Sequence, residues 1–204
     1  LNGILVARFL GDAVYGQYTA AFAFAGIFGL AFTLGVDALI VREIARSSDP
    51  DKARESLRPA IWLRIVAMPL ALALIAFAAT AVNYAMPVWG YIMIVALILG
   101  INGLADLGRA VFQGLQRMQY DTLTRLFDKF IGMATIVILL AAGVRALDAI
   151  LLALLAAAVA GLVASWAMAF RMIGWPKLGK PHGTVKLMRA ALPIGGSLAL
   201  VSLY

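Results

Sequence analysis

Asn102, Asp106, Arg109 and Gln113 are separated by four, three and four residues. On an α-helix, at about 100° per residue, that spacing keeps all four within a sector of about 60°. A carboxylate, a guanidinium and two amides on one face can hold an anionic or strongly polar group by charge and directed hydrogen bonds. The residues between them, among them Leu104, Leu107, Val111 and Phe112, are apolar, so the same helix turns an oily side toward oily surroundings. Two other positions carry charge into apolar sequence. Asp37 lies well along a second apolar run, and Arg42 and Glu43 stand where that run ends.

Composition identifies the surroundings. The chain is 64% hydrophobic and 13% charged, against about 45–50% and 25% in soluble domains. Its apolar residues fall into blocks of about 20, the length that crosses a hydrocarbon core of about 30 Å as a helix. A membrane barrel would instead alternate in- and out-facing residues over about 10 positions. The class is therefore all-α and integral to the membrane, a polytopic helix bundle. In that setting the net charge of +7 marks loops facing the cytoplasm and acidic lipid, with no call for nucleic acid.

Metal, thiol and nucleotide chemistry find little support. There is no cysteine, and His182, the sole histidine, lies in a basic loop with no second nitrogen or sulfur donor. No metal or cofactor is expected. Residues 174–181 follow the Walker A spacing up to its last position, where Pro181 replaces the magnesium-binding hydroxyl, and they follow a membrane helix instead of a strand. No nucleophile elbow or histidine–glutamate metal motif occurs, so no enzyme activity is predicted.

Apolar runs and breakers predict the elements that must position the polar stripe. A helix tail at 1–10 is followed by a helix stop at Gly11 and Asp12. The second helix spans about 18–41, with Ala21, Ala25 and Gly29 allowing close approach. Residues 47–59 read as a water-facing loop with Pro50 and Pro59 as breakers. The third helix spans about 60–82 and contains Pro69; the fourth runs from 88 to about 108 and carries the stripe. An amphipathic connector at 116–129, with Leu123, Leu126, Phe127 and Phe130 on its apolar face, leads to a fifth helix at about 127–142. The sixth, capped by Asp148 and ending near 170, sets Ala153, Ala157, Gly161, Ser165 and Ala169 at intervals of four, a ridge suited to packing. A last element, 187–204, is weakened near its start by Pro193, Gly195 and Gly196.

Basic residues set the sidedness. Segments after the second, fourth and sixth helices hold fifteen of the 17 lysines and arginines; the other side has only Arg8 and Arg145. The even-numbered helices thus run toward the cytoplasm. A bare charge at the bilayer centre costs about 2.5 to 3.5 kcal/mol on insertion scales, so charges inside spans need partners or water. Asp106 and Arg109 can neutralise each other three residues apart, but a simple pair does not require Asn102 and Gln113 to extend the line. The extended stripe predicts a wet cavity. Arg42 and Glu43 can snorkel to water.

Several short motifs resemble one family. Ala7-Arg8-Phe9-Leu10-Gly11 with Tyr15-Gly16-Gln17-Tyr18, Leu34-Gly35 with Val41-Arg42-Glu43-Ile44-Ala45-Arg46, Phe112-Gln113-Gly114-Leu115-Gln116-Arg117-Met118, and Leu192-Pro193 with Gly195-Gly196 occur in its order. They are similar to the polysaccharide-transporter branch of the multidrug/oligosaccharidyl-lipid/polysaccharide flippase superfamily, which includes Wzx-type O-antigen flippases. The resemblance implies one six-helix lobe of a two-lobe fold over residues 1–186, starting at the tail of the first helix, and the start of the second lobe at 187–204. It also implies flipping of an undecaprenyl-pyrophosphate-linked oligosaccharide across the bacterial cytoplasmic membrane by alternating access, in lipopolysaccharide or other cell-surface polysaccharide biosynthesis. On that expectation Arg109 and Arg42 attract the pyrophosphate, Asn102 and Gln113 bond polar groups, and Asp37 or Asp106 binds a coupling proton or sodium ion. Two other readings stay open: an organic-cation antiporter of the multidrug branch, and a non-transporting membrane scaffold of polysaccharide assembly, in which the stripe packs against another helix.

Overall fold

A computed structural model of the chain describes residues 7, 11–29, 32, 35–47, 50–144 and 146–175. The 1–10 helix tail apart from Ala7, Arg8, Arg145, His182, most of the 174–181 segment and the 187–204 element lie outside the described residues. Among the described residues six helices follow in order: α1 Asp12–Ile27, α2 Val36–Ser47, α3 Pro50–Ala81, α4 Met86–Gly114, α5 Met118–Ala141 and α6 Leu147–Ile173. No strand occurs among the described residues. The protein is a helical membrane bundle: α3 from Ala53, α4 and α6 are each long and apolar enough to cross a bilayer. On α3 the outward residues Ile65, Val66, Leu70, Leu74 and Phe77 form one stripe, and Ala60, Arg64, Ala71, Ile75 and Ala79 form the buried one.

Three expected boundaries are corrected. The second predicted helix is interrupted: α1 ends with the Phe28 N–H bonded to the Ala25 carbonyl, and Gly35 takes φ 67° just before α2. That left-handed turn suits glycine and stops the helix. Of the predicted loop at 47–59, residues 50–59 are the first part of α3. Pro50 sits at its first position, where a missing N–H costs nothing, and Ala53, Leu57 and Ala60 are fully buried at helical spacing. That burial outweighs the hydrogen bond lost at Pro59. The connector at 116–129 and the fifth helix are one helix, α5, with no proline to break it. Its predicted apolar face, Leu123, Leu126, Phe127 and Phe130, is exposed.

The small-residue ridge of α6 is buried as its spacing predicts, from Ala153 to Ala169. It lets α4 and α5 come close: a Cβ on Gly108 would lie 3.3 Å from Ser165 Oγ, and one on Gly161 3.0 Å from Asp128 Oδ1. Of the predicted α1 ridge, Ala21 and Ala25 are buried, while Gly29 falls beyond the helix end in open space. The core forms two apolar clusters. One holds Tyr18, Phe32, Ile75, Ile92 and Leu151; the other holds Ile40, Ile44, Leu57, Leu107 and Phe112. Phe32 belongs to the first cluster and Val36 to the second, so the break between α1 and α2 lies where the clusters meet.

Candidate functional site

Helix α4 extends six residues past its expected end, because Gly108 packs against Ser165 and Trp166 of α6 instead of capping the helix. Arg109 and Gln113 are therefore helical, and the stripe is one continuous face. Trp166 Nε1 donates to the Leu104 carbonyl at 3.0 Å, fixing α6 against this part of α4.

Most of the stripe faces α5. Gln113 Nε2 donates to Asp121 Oδ2 at 3.1 Å, and Arg125 Nε donates to Asp121 Oδ1 at 2.9 Å. Arg125 Nη1 also lies 3.3 Å from Asp106 Oδ1, to which Arg109 Nη1 donates at 3.0 Å. The chain of charges ends at Asp128, whose Oδ2 lies 3.9 Å from Arg109 Nη2. Arg109 is 3% exposed, and its Nε and Nη2 have no hydrogen-bond partner among the described residues. A buried guanidinium with unmet donors is expensive, and such a group is a ready acceptor site for an anion.

Asn102, two turns back along the stripe, opens instead into a cleft of about 630 Å³. Tyr18 and Phe22 of α1, Asp128, Lys129 and Phe130 of α5, and Ala157 and Ala158 of α6 also line it. Asp128 thus belongs both to the charge chain and to the cleft wall.

Asp37 is not isolated. Arg64 Nη2 donates to Asp37 Oδ1 and Oδ2 at 2.6 and 2.7 Å, and Arg64 Nη1 donates to the Phe32 carbonyl. Arg64 thus bonds a backbone carbonyl in the stretch between α1 and α2. Arg64 is 2% exposed, with only Nε unpaired. Gly103 makes room for it, since a Cβ there would sit 2.8 Å from Nη1. Arg42 stands apart from these groups, exposed on α2.

Sequence reasoning missed Arg64, Asp121, Arg125 and Asp128 as parts of a site. It counted Arg64 and Arg125 among loop cations. The signal for α5 was present: Asp121, Arg125 and Asp128 recur at four and three residues, opposite Leu123, Leu126, Phe127 and Phe130. Arg64 and Arg109 are buried, so neither belongs in a loop count, yet thirteen basic residues against two leave the charge asymmetry standing. Among the described residues no three acidic, histidine or cysteine side chains come together to hold a metal ion.

No curated protein and no solved structure matches the chain. A family model described as polysaccharide biosynthesis protein matches all of it, residues 1–204. An all-helical membrane bundle whose polar face is built around a buried arginine is thus, by descent, a member of the polysaccharide biosynthesis protein family.

Proposed function

We propose that the protein takes part in flipping a lipid-linked oligosaccharide, of the undecaprenyl-pyrophosphate type, across the bacterial cytoplasmic membrane during cell-surface polysaccharide biosynthesis. Residues 1–186 form one lobe of the transporter and 187–204 begin the other. Family membership supports the polysaccharide side of this reading. The observation that carries the transport side is Arg109: a buried guanidinium with two unpaired nitrogens, beside a cleft that Asn102 and Asp128 line. A pyrophosphate leaving water needs fixed positive charge and directed donors, and Arg109 offers both. Arg42, exposed on α2, is suited to collecting the headgroup at the membrane surface.

Flipping by the full-length protein in proteoliposomes, with a fluorescent lipid-pyrophosphate oligosaccharide, tests the reading. Arg109→Gln lowers the rate at least about tenfold, the effect of removing about 1.4 kcal/mol of interaction. Arg42→Gln raises the substrate concentration needed with less effect on the maximal rate. Wild-type rates in Arg109→Gln would sink the assignment. One observation favours a second reading, the membrane scaffold: Asp106, Arg109 and Gln113 all bond or face side chains of α5. A scaffold leaves aqueous thiol reagents unable to reach a cysteine placed at Asn102, whereas a cavity lets them in.

A further inference from the structure

Four carboxylates stand on the charged faces, and they differ in how fully they are occupied: Asp121 accepts from Gln113 and Arg125. Asp37 accepts two hydrogen bonds from Arg64. Asp106 is held by Arg109 at 3.0 Å and by Arg125 at 3.3 Å. Asp128 makes no hydrogen bond among the described residues; its one cationic neighbour within 4 Å is Arg109 Nη2, at 3.9 Å. Its side chain is 18% exposed and lines the cleft, so water reaches it. Arg109 supplies the second, independent observation: 3% exposed, it points an unpartnered Nη2 at this carboxylate.

We infer that Asp128 is the carboxylate that takes up and releases a proton, and that its protonation turns Arg109 and Lys129 toward an anionic ligand in the cleft. Among the described residues, charged and titratable groups face Asp128 from several elements. From α4 come Arg109 and Asp106; from α5 itself come Arg125 and Lys129; α6 presents Gly161, which carries no charge; and Tyr18 of α1 lines the same cleft. With Asp121 included, the cluster has three cations, Arg109, Arg125 and Lys129, and three carboxylates, Asp106, Asp121 and Asp128. Its formal charge is zero. A proton passing from cleft water to Asp128 Oδ2 leaves one positive charge uncompensated, and loss of that proton to water restores the balance. An anion is therefore held more tightly when Asp128 is protonated, and by linkage the anion raises the affinity of Asp128 for its proton. A metal cation fits the place poorly, because Arg109, Arg125 and Lys129 adjoin it and, among the described residues, no three acidic, histidine or cysteine side chains come together there.

The inference takes only the nature of the anion, a phosphate-like headgroup, from the flippase reading. Its test uses the full-length protein in detergent and sulfate as the probe, an anion whose own charge is constant from acid to neutral pH. Wild-type protein binds sulfate more tightly as pH falls, by up to about tenfold per pH unit for one linked proton. Asp128→Asn mimics the protonated carboxyl, and it binds sulfate at all pH values as the wild type does in acid. Asp106→Asn, which removes a carboxylate shared by Arg109 and Arg125, tightens sulfate at every pH but leaves the strengthening on acidification in place. Difference infrared spectra of the same proteins supply a second readout: a protonated-carboxyl band that forms on acidification is absent in Asp128→Asn and present in Asp106→Asn. A wild-type pH dependence in Asp128→Asn, or a band that vanishes with Asp106→Asn instead, overturns the inference. Loss of flipping with both signatures intact counts against the flippase reading alone.

Discussion

Arg64 and Arg109 are both withdrawn from water, and each is set opposite an aspartate, yet they are held differently. Arg64 makes a two-pronged contact with Asp37 and a third bond to the Phe32 carbonyl. Arg109 makes one bond, to Asp106, and leaves Nε and Nη2 unpaired with Asp128 just out of reach. The first arrangement ties together α2, α3 and Phe32 in the stretch between α1 and α2, across the junction of the two apolar clusters. The second ties α4 to α5 loosely and borders a cleft. A buried pair with most of its donors bonded is architecture, whereas one with most of them unmet retains capacity to bind something else.

Removing one partner from each pair gives the largest contrast. Asp37→Ala strands the Arg64 charge in the bundle and costs about 3 to 5 kcal/mol, as breaking a buried ion pair does. Thermal unfolding of the full-length protein in detergent registers this as a marked fall in midpoint. Asp37→Leu combined with Arg64→Met recovers most of the loss, because an apolar pair of similar size needs no partner. Asp128→Ala removes no hydrogen bond and leaves the midpoint close to wild type. Equal destabilisation by Asp37→Ala and Asp128→Ala would erase the distinction between the two arginines.

The glycine over Arg64 gives the next effect. A methyl group on Gly103 would lie 2.8 Å from Nη1, a nitrogen that its bond to the Phe32 carbonyl and its neighbour's bonds to Asp37 prevent from swinging away. Gly103→Ala therefore costs about 1 to 3 kcal/mol, the range for overpacking a filled site. Double variants sharpen the point: in the Asp37→Leu, Arg64→Met background, Gly103→Ala loses most of its effect. Residues in contact couple in this way.

How far the sequence discloses these two regions follows from which interactions are periodic and local. The membrane class, the α6 ridge and the α4 stripe repeat at helical intervals, and each is recovered in the bundle. The pairing of Asp37 with Arg64 is 27 residues apart and depends on a helix break that an apolar run conceals; Gly35 is its one local mark. Apolar composition made residues 18–41 read as one helix, and polar composition made 47–59 read as a loop. Tertiary burial of Ala53 and Leu57 decided the latter against local signal. The charged face of α5 was legible by the same spacing rule as the α4 stripe, but its exposed apolar face drew the reading toward a surface connector.

Gly161, the glycine beside Asp128, carries the smallest effect and the closest comparison. A methyl group there would meet Asp128 Oδ1 at 3.0 Å and its Cβ and Cγ at 3.2 Å. These contacts are tight, but a few tenths of an ångström relieve them, and the carboxylate has the cleft to move into with no hydrogen bond to break. Alanine also gains about 1 kcal/mol of helix propensity over glycine. The two terms oppose each other, so Gly161→Ala leaves stability within about 1 kcal/mol of wild type, against the larger cost at Gly103. Its effect falls on binding instead: displacing Asp128 from Arg109 weakens the internal pair and tightens sulfate at neutral pH, moving the variant part of the way toward Asp128→Asn. If Gly161→Ala destabilises the bundle as much as Gly103→Ala, Asp128 is clamped as firmly as Arg64, and Arg109 has no slack to offer a ligand.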